Sequence, residues 1–150
     1  MKYTEATQGR IFILRLEQGD RLPDAIETFA SDKNISAAMV YILGGADRDS
    51  KIVSGPRDAD SARQPLEVYE QLLNDVHESF GIGTIFLDES ETPKLHLHAA
   101  FGRSKHSLVG CTRPGVSVWL YMEVMVVELL NCNAKRKVNP ENGFTLLEMD

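Results

Sequence analysis

Phe80-Gly-Ile-Gly-Thr-Ile-Phe-Leu87 and Lys94-Leu-His-Leu-His-Ala-Ala-Phe-Gly102, joined by the polar segment Asp88-Glu-Ser-Glu-Thr-Pro93, decide the fold of this chain. Both apolar segments have the length of ordinary strands, and the second one alternates in polarity. The linker between them is short, polar and ends in proline, as hairpin connections often are. We therefore predict an antiparallel hairpin, and with it a sheet-based domain.

Alternation gives the second strand two different faces. Leu95, Leu97 and Phe101 point to one face, while His96 and His98 point to the other. Neutral imidazole is the commonest metal ligand in proteins, and two imidazoles two residues apart on a strand suit a single ion. The alternative is a polar sheet face that binds nothing, because a metal site normally needs a third ligand.

Further strands and one helix are predicted on either side of the hairpin. Ile35–Gly45 is almost continuously apolar and predicts a central buried strand, whereas Asp47–Gln64 is polar and predicts a surface loop. Leu22–Asp32 has apolar residues at helical spacing and predicts a short amphipathic helix. The remaining strand segments are Arg10–Leu16, Ser107–Thr112, Val116–Leu130 and Phe144–Met149, with Leu66–Leu73 either a strand or a short helix. The predicted fold is a single α+β domain over residues 1–150.

Composition restricts the function classes. The chain has 150 residues, of which 43% are hydrophobic, and a formal net charge of -6. Such an acidic protein lacks the positive field that gives general affinity for nucleic acid. Cys111 and Cys132 are the two cysteines, which fits a reducing cytoplasm. The start of the chain has no secretory pattern, and Val116–Leu130 is too short for a membrane span. We therefore expect a cytoplasmic protein without a membrane partner.

Five segments together carry a resemblance to a known family. They are Gly9-Arg-Ile-Phe-Ile-Leu-Arg-Leu-Glu-Gln-Gly19, Ile42-Leu-Gly-Gly-Ala46, His77-Glu-Ser-Phe-Gly-Ile-Gly-Thr-Ile85, Pro93-Lys-Leu-His-Leu-His-Ala99 and Gly110-Cys-Thr-Arg-Pro-Gly115. In this order and spacing the chain resembles the plants-and-prokaryotes-conserved (PPC) domain. The resemblance implies a strongly bent, mostly antiparallel sheet with one or two short helices, assembled as a homotrimer. It also implies a DNA-binding or regulatory role by family association, although bacterial members resemble metal-binding or small-ligand-binding trimers more closely.

The sequence departs from that family in two places. It has no Arg-Gly-Arg-Pro core in a basic segment, the AT-hook that reads the minor groove in the plant proteins. Many family members also have Gly-Gly-His after the His-x-His strand, and an ungapped alignment places Thr112 at that third histidine. Either the metal site is lost, or Cys111 replaces the ligand beside His96 and His98. The second alternative gives a divalent site, zinc first, with an open fourth position.

His77 is a further candidate ligand residue. We predict that the hairpin pairs Ile85 with His96 and Gly83 with His98, which would place His77 on the histidine face beside a glycine-lined space. A register shift of one residue would reverse this placement. The alternative for His77 is a surface or interface histidine.

Two charged residues complete the candidate site. Glu123 interrupts an apolar strand, so we expect it to pair with Arg113 or with a site histidine, or else to face the sheet edge. Arg113 is expected either to hold an anionic ligand through its planar guanidinium or to form a salt bridge between subunits.

Two function classes follow. The first is a trimeric binding protein, with Trp119 and Met125 near buried surface, that holds a metal ion or small anion at the His-x-His strand. The second is a metal-dependent enzyme in which the bound ion activates water and Glu123 or Glu78 acts as the base. The first is favoured, because the sequence offers no complete catalytic set.

Overall fold

The computed structural model describes residues 1–57, 67–140 and 143–149, and it folds them mainly into antiparallel strands. Within these ranges there is one helix, α1 (Asp24–Asp32). The strands are β1 (Thr7–Glu17), β2 (Arg21–Leu22), β3 (Ala37–Ala46), β4 (Lys51–Pro56), β5 (Val68–Leu72), β6 (His77–Leu87), β7 (Pro93–Arg103), β8 (His106–Cys111), β9 (Val116–Leu130), β10 (Lys135–Val138) and β11 (Thr145–Glu148). The main sheet has the order β1-β9-β3-β6-β7-β8-β4-β5, with β2 also paired to β9.

The hydrophobic core lies on one face of the main sheet, which we call the inner face. Helix α1 packs there and buries Ile26 and Ala30 completely. Glu27 of the same helix accepts a hydrogen bond of 2.9 Å from the backbone N–H of Leu95 and forms an ion pair with Lys94. The predicted helix is confirmed, although its first predicted residue, Leu22, belongs to β2. The two contacts of Glu27 hold the helix against β7, the strand that carries the histidine pair.

Strand β3 is central, as predicted, but only one of its faces is buried. It lies between β9 and β6; Val40 and Ile42 point into the core, whereas Tyr41 and Leu43 are exposed. The prediction of a buried strand therefore holds for one face of β3 only. The apolar run reflects two apolar faces, and no described residue of the chain covers the second one.

The opposite, outer face of the sheet has a continuous row of exposed apolar side chains. Register places Ile13, Met125, Tyr41 and Ile82 opposite one another on four adjacent strands, and the next member of the row is His98. Ile13 is 71% exposed and Ile82 is 57% exposed. An exposed apolar surface of this kind is typical of an interaction face. The apolar row ends beside His98, one of the candidate metal ligands.

Two sequence predictions need correction, and the alternative left open for Leu66–Leu73 is decided. Part of the predicted loop, Asp47–Gln64, forms strand β4, which pairs with β5 and β8 at the end of the sheet; residues 58–66 lie outside the described ranges. Leu66–Leu73 contributes β5, a strand rather than a helix. The C-terminal strand β11 pairs with the unpredicted β10 in a separate two-stranded sheet instead of completing the main one. In the described ranges no helix has the length and apolarity that a membrane span requires.

Candidate metal centre

Strand β7 brings the two imidazoles together on the outer face. Leu95 and Leu97 are buried in the core, so the intervening His96 and His98 point away from it. The Nε2 atoms of the two histidines are 3.1 Å apart. Their rings lie edge to face, with centroids separated by 5.0 Å. Two ring nitrogens therefore converge on one point.

Cys111 joins the pair from the neighbouring strand. In the ladder between β7 and β8, Cys111 lies directly opposite His98, so both side chains are on the same face. One ring nitrogen of each histidine and the Sγ of Cys111 all lie within 4.8 Å of one another. Among the described residues this is the only group of three or more such side chains with that spacing.

The residue after Cys111 is turned the other way. Thr112 is fully buried, and its hydroxyl donates a hydrogen bond of 3.2 Å to the backbone carbonyl of Leu97. Its backbone N–H donates to the same oxygen at 3.0 Å. Cys111 and Thr112 were the two residues considered for the third ligand position. The structure places Cys111 beside the histidines, whereas Thr112 is hydrogen-bonded to the backbone of β7.

The spacing of these donors fits a zinc ion. Tetrahedral zinc with ordinary bond lengths separates two nitrogen ligands by about 3.3 Å, and a nitrogen from a sulfur by about 3.6 Å. The observed Nε2–Nε2 distance of 3.1 Å is close to the first value. The nitrogen and sulfur atoms are at most 4.8 Å apart, so they would need to approach by about 1.2 Å at most to reach the second value. Two imidazoles and a thiolate are also a donor set that suits zinc. They would fill three positions and leave the fourth open.

The surroundings favour the metal-binding form of His96. The pKa of His96 is lowered from 6.5 to about 4, first by burial and then by the positive charges of Arg113, Arg136 and His98. The neutral imidazole is the form that coordinates a metal. His96 is therefore uncharged at neutral pH and available as a ligand.

Arg136 is the functional neighbour that sequence reasoning missed. Its guanidinium donates to the carbonyl and hydroxyl of Thr84, the residue opposite His96, and to the carbonyl of Lys94. It also stacks over the Phe86 ring, and the whole residue is only 5% exposed. Burial lowers its pKa from the ordinary arginine value. The Lys135-Arg136-Lys137 segment resembles an ordinary solvated charge run, so no signal in the sequence marked this arginine.

A cavity of about 670 Å³ opens beside the three donors. Its lining includes His96, His98 and Cys111 together with Arg113 and Glu70. Most of the other lining side chains are apolar. They come from β4, β5, β8 and β11, from the segment after β8 and from the residue before β11: Val53, Val68, Val109, Leu146, Pro114 and Phe144. Its volume lies within the range of small-molecule sites.

His77 is not part of this site. The hairpin pairs Thr84 with His96 and Ile82 with His98, one residue away from the predicted register. The reason is the turn, in which Leu87 pairs with Pro93. This shift moves His77 to the inner face, where it is buried and its Nδ1 lies 2.8 Å from the carbonyl of Asp75. The glycines of β6 also face the core rather than the histidines.

The charged candidates separate into one that lines the site and two that do not. Arg113 lines the cavity, which is the position it needs in order to bind an anionic ligand. Glu123 lies opposite Arg15 and Leu43 on the exposed outer face, three strands from β7, or about 14 Å at normal strand spacing. Glu78 is exposed near the far end of β6 and is not in the described lining. The structure therefore brings neither glutamate to the metal centre.

Sequence comparison establishes the family. The profile of the Plants and Prokaryotes Conserved (PCC) domain matches residues 3–130. The chain belongs to this family, as the sequence segments predicted. Among curated proteins, none is significantly similar to the chain.

Solved structures with the same fold include proteins with different descriptions. A metal-containing protein from Archaeoglobus fulgidus is 25% identical, with 99% of each chain covered and a TM-score of 0.84. A plant- and prokaryote-conserved (PPC) protein from Pyrococcus horikoshii is 22% identical, covering 100% of this chain and 99% of its own, with a TM-score of 0.84. A protein from Ralstonia eutropha, named as a candidate DNA-binding protein, is 20% identical over 92% of this chain and 90% of its own, with a TM-score of 0.71.

Proposed function

We propose that this protein is a homotrimeric metal-binding protein that holds one divalent ion per chain, zinc first, on His96, His98 and Cys111. The observation that carries the proposal is the convergence of three donor atoms within 4.8 Å on two paired strands. The metal-containing description of the Archaeoglobus protein, which has the same fold, supports it. The ion would have three protein ligands and one position for a small molecule.

The exposed apolar row supports assembly of the chain with copies of itself. If another subunit covered the outer face, it would remove from water the exposed apolar surface of Ile13, Tyr41 and Ile82. Met125, expected near buried surface, is in the same row and 44% exposed in the single chain. The row ends at His98, so a subunit seated on it would also approach the metal centre and help to exclude water.

Binding is proposed rather than catalysis because of where the acidic residues lie. Glu123 and Glu78, the candidate bases, are outside the described cavity lining. Glu70 does line it, but its carboxylate is 3.9 Å from the amine of Lys51, with which it forms an ion pair. Apart from Glu70, no carboxylate of the described residues lines the cavity.

DNA binding is not part of the proposal. The neighbours named as candidate DNA-binding proteins are 20% and 18% identical to this chain, a similarity that concerns the fold. The net charge of -6 opposes attraction to phosphate backbones, and the AT-hook pattern is absent from the sequence.

The test is a metal analysis of the purified oligomer after zinc loading and removal of excess ion. We expect one zinc per chain in the wild type, none in the His96→Ala His98→Ala double variant, and about 10-fold weaker binding in Cys111→Ser. His106→Ala is the matched control, because His106 is exposed at the far end of β8 and should leave zinc content unchanged. Circular dichroism checks that each variant is folded. Equal zinc content in the double variant and the wild type would refute the proposal.

A further inference from the structure

The cavity beside the metal centre has more room and more apolar surface than a metal ion needs. Its volume of about 670 Å³ is much larger than a single coordinated water or hydroxide requires. Val53, Val68 and Leu146 line it from three different strands. Apolar walls around a few polar groups are the usual composition of a site for a small organic molecule.

Two charged side chains, those of Arg113 and Glu70, are in the described lining of this cavity. Arg113 lines it, and within the described ranges its guanidinium has no carboxylate partner within 4 Å. Arg136, buried beside His96, is hydrogen-bonded only to uncharged groups in those ranges. The one carboxylate in the lining, that of Glu70, is paired with Lys51. The exposed guanidinium of Arg113 is therefore available to an anionic occupant, and the buried positive charge of Arg136 beside His96 favours the same sign of ligand.

We infer that the cavity binds a small carboxylate with an apolar body, held by Arg113 and the open position of the metal centre. The inference rests on the proposed metal site. A zinc ion with two neutral imidazoles and one thiolate keeps a net positive charge, which adds to that of Arg113. The planar guanidinium of arginine matches the two oxygens of a carboxylate. The apolar body then lies against the valine and leucine side chains.

The apolar walls distinguish this ligand class from inorganic anions. Phosphate or sulfate would satisfy Arg113 but would leave Val68 and Leu146 facing water. A carboxylate with an aliphatic or aromatic chain removes that surface from water, and each buried methylene should strengthen binding up to about fourfold. Affinity should therefore rise with the length of the apolar chain and also require the negative charge.

The experiment is isothermal titration calorimetry on the zinc-loaded oligomer with four probes. They are 4-phenylbutyrate, its neutral analogue 4-phenylbutanamide, acetate and inorganic phosphate. We expect 4-phenylbutyrate to bind most tightly, the amide to bind about 10-fold more weakly or worse, and acetate and phosphate to bind more weakly still.

Two variants locate the contact. Arg113→Gln should weaken 4-phenylbutyrate by about 10-fold or more while zinc content stays at the wild-type level. Arg48→Gln is the matched control, an exposed arginine outside the described cavity lining, and should change neither value.

The outcomes separate this inference from the proposed function. Zinc content is measured on the same samples, and a wild-type protein that takes up no zinc contradicts both. A protein that holds zinc but binds the amide or phosphate as tightly as 4-phenylbutyrate overturns the ligand class alone. Equal affinity of Arg113→Gln and wild type for 4-phenylbutyrate overturns the role of Arg113.

Discussion

Replacing Gly83 by alanine is expected to damage both the sheet and the metal centre, because strand β6 has no room for a side chain there. Gly83 lies opposite Leu97 on β7. A Cβ atom at Gly83 would be 2.6 Å from the carbonyl oxygen of His96 and 2.7 Å from the Cβ of Leu97. Ordinary van der Waals contact begins at 3.4 Å. Both obstacles belong to the backbone or the first side-chain atom of β7, so the two strands must move apart.

The expected size of the effect follows from this overlap. Overpacking of a well-packed core costs about 1–3 kcal/mol of the free energy of unfolding, and each kcal/mol lowers the Tm of a 150-residue protein by roughly 2–4 °C. The strand that moves also carries His96, and ligand positions at a metal site are held to about 0.2 Å. We therefore expect zinc affinity to fall about 10-fold in Gly83→Ala.

The assay is thermal unfolding of the metal-free protein, combined with zinc competition against a chelator. Gly102→Ala is the matched control, a second glycine-to-alanine change on the same hairpin where a new Cβ would meet nothing within 4 Å. It should leave Tm and zinc affinity within error of the wild type, or raise Tm slightly. Wild-type stability and zinc affinity in Gly83→Ala would refute the reasoning, because the close approach of β6 and β7 would then not constrain His96.

Three further predictions concern assembly, pH and nucleic acid. Ile82→Asp should convert the oligomer to a smaller species in light scattering. Val138→Asp is the control and should leave the mass unchanged, because Val138 is similarly exposed but lies on the small C-terminal sheet. An unchanged mass of the Ile82→Asp variant would exclude the outer face as the interface. Arg10 holds the pKa of Glu128 at about 2, so this pair stabilises the fold fully above about pH 4.5 and loses its effect as the pH falls towards 2. Glu128→Gln should therefore lower the free energy of unfolding at pH 7 by about 1–2 kcal/mol and flatten its acid dependence, with the exposed Glu89→Gln as a neutral control. Retention of duplex DNA at submicromolar Kd and physiological salt would contradict the expectation of no tight binding.

Strand positions could be predicted from the sequence where one face of the strand is buried, as in β7 and most of β9. Val116–Leu130 was predicted with the bounds that β9 has in the structure. Alternation in β7 also assigned Leu95 and Leu97 to the core and the histidines to the other face, as found. Burial of a repeating set of side chains is a strong constraint, and it is visible in the sequence alone.

Register and solvent exposure could not be predicted in the same way. Moving the hairpin by one residue exchanges the two faces of β6, and both faces are apolar enough to tolerate either arrangement. The pairing is fixed by the turn instead, where the carboxylate of Asp88 accepts hydrogen bonds from the backbone N–H groups of Ser90 and Thr92. Predicting His77 in the site followed from the wrong register. Arg136 was missed because a buried arginine and a solvated one have the same sequence signature.

The third ligand position illustrates how strand geometry decides between neighbouring residues. Successive side chains of a strand point to opposite faces, so only one of Cys111 and Thr112 can meet the histidines without a bulge. The residue that does not face them still serves the site, because the Thr112 hydroxyl and N–H both bind the carbonyl of Leu97, midway between His96 and His98. That double contact ties the end of β8 to the backbone that carries both imidazoles. A cysteine at position 111 therefore offers a ligand without distorting the ladder, whereas a side chain at position 112 with the orientation of Thr112 points into the core and away from the same ion.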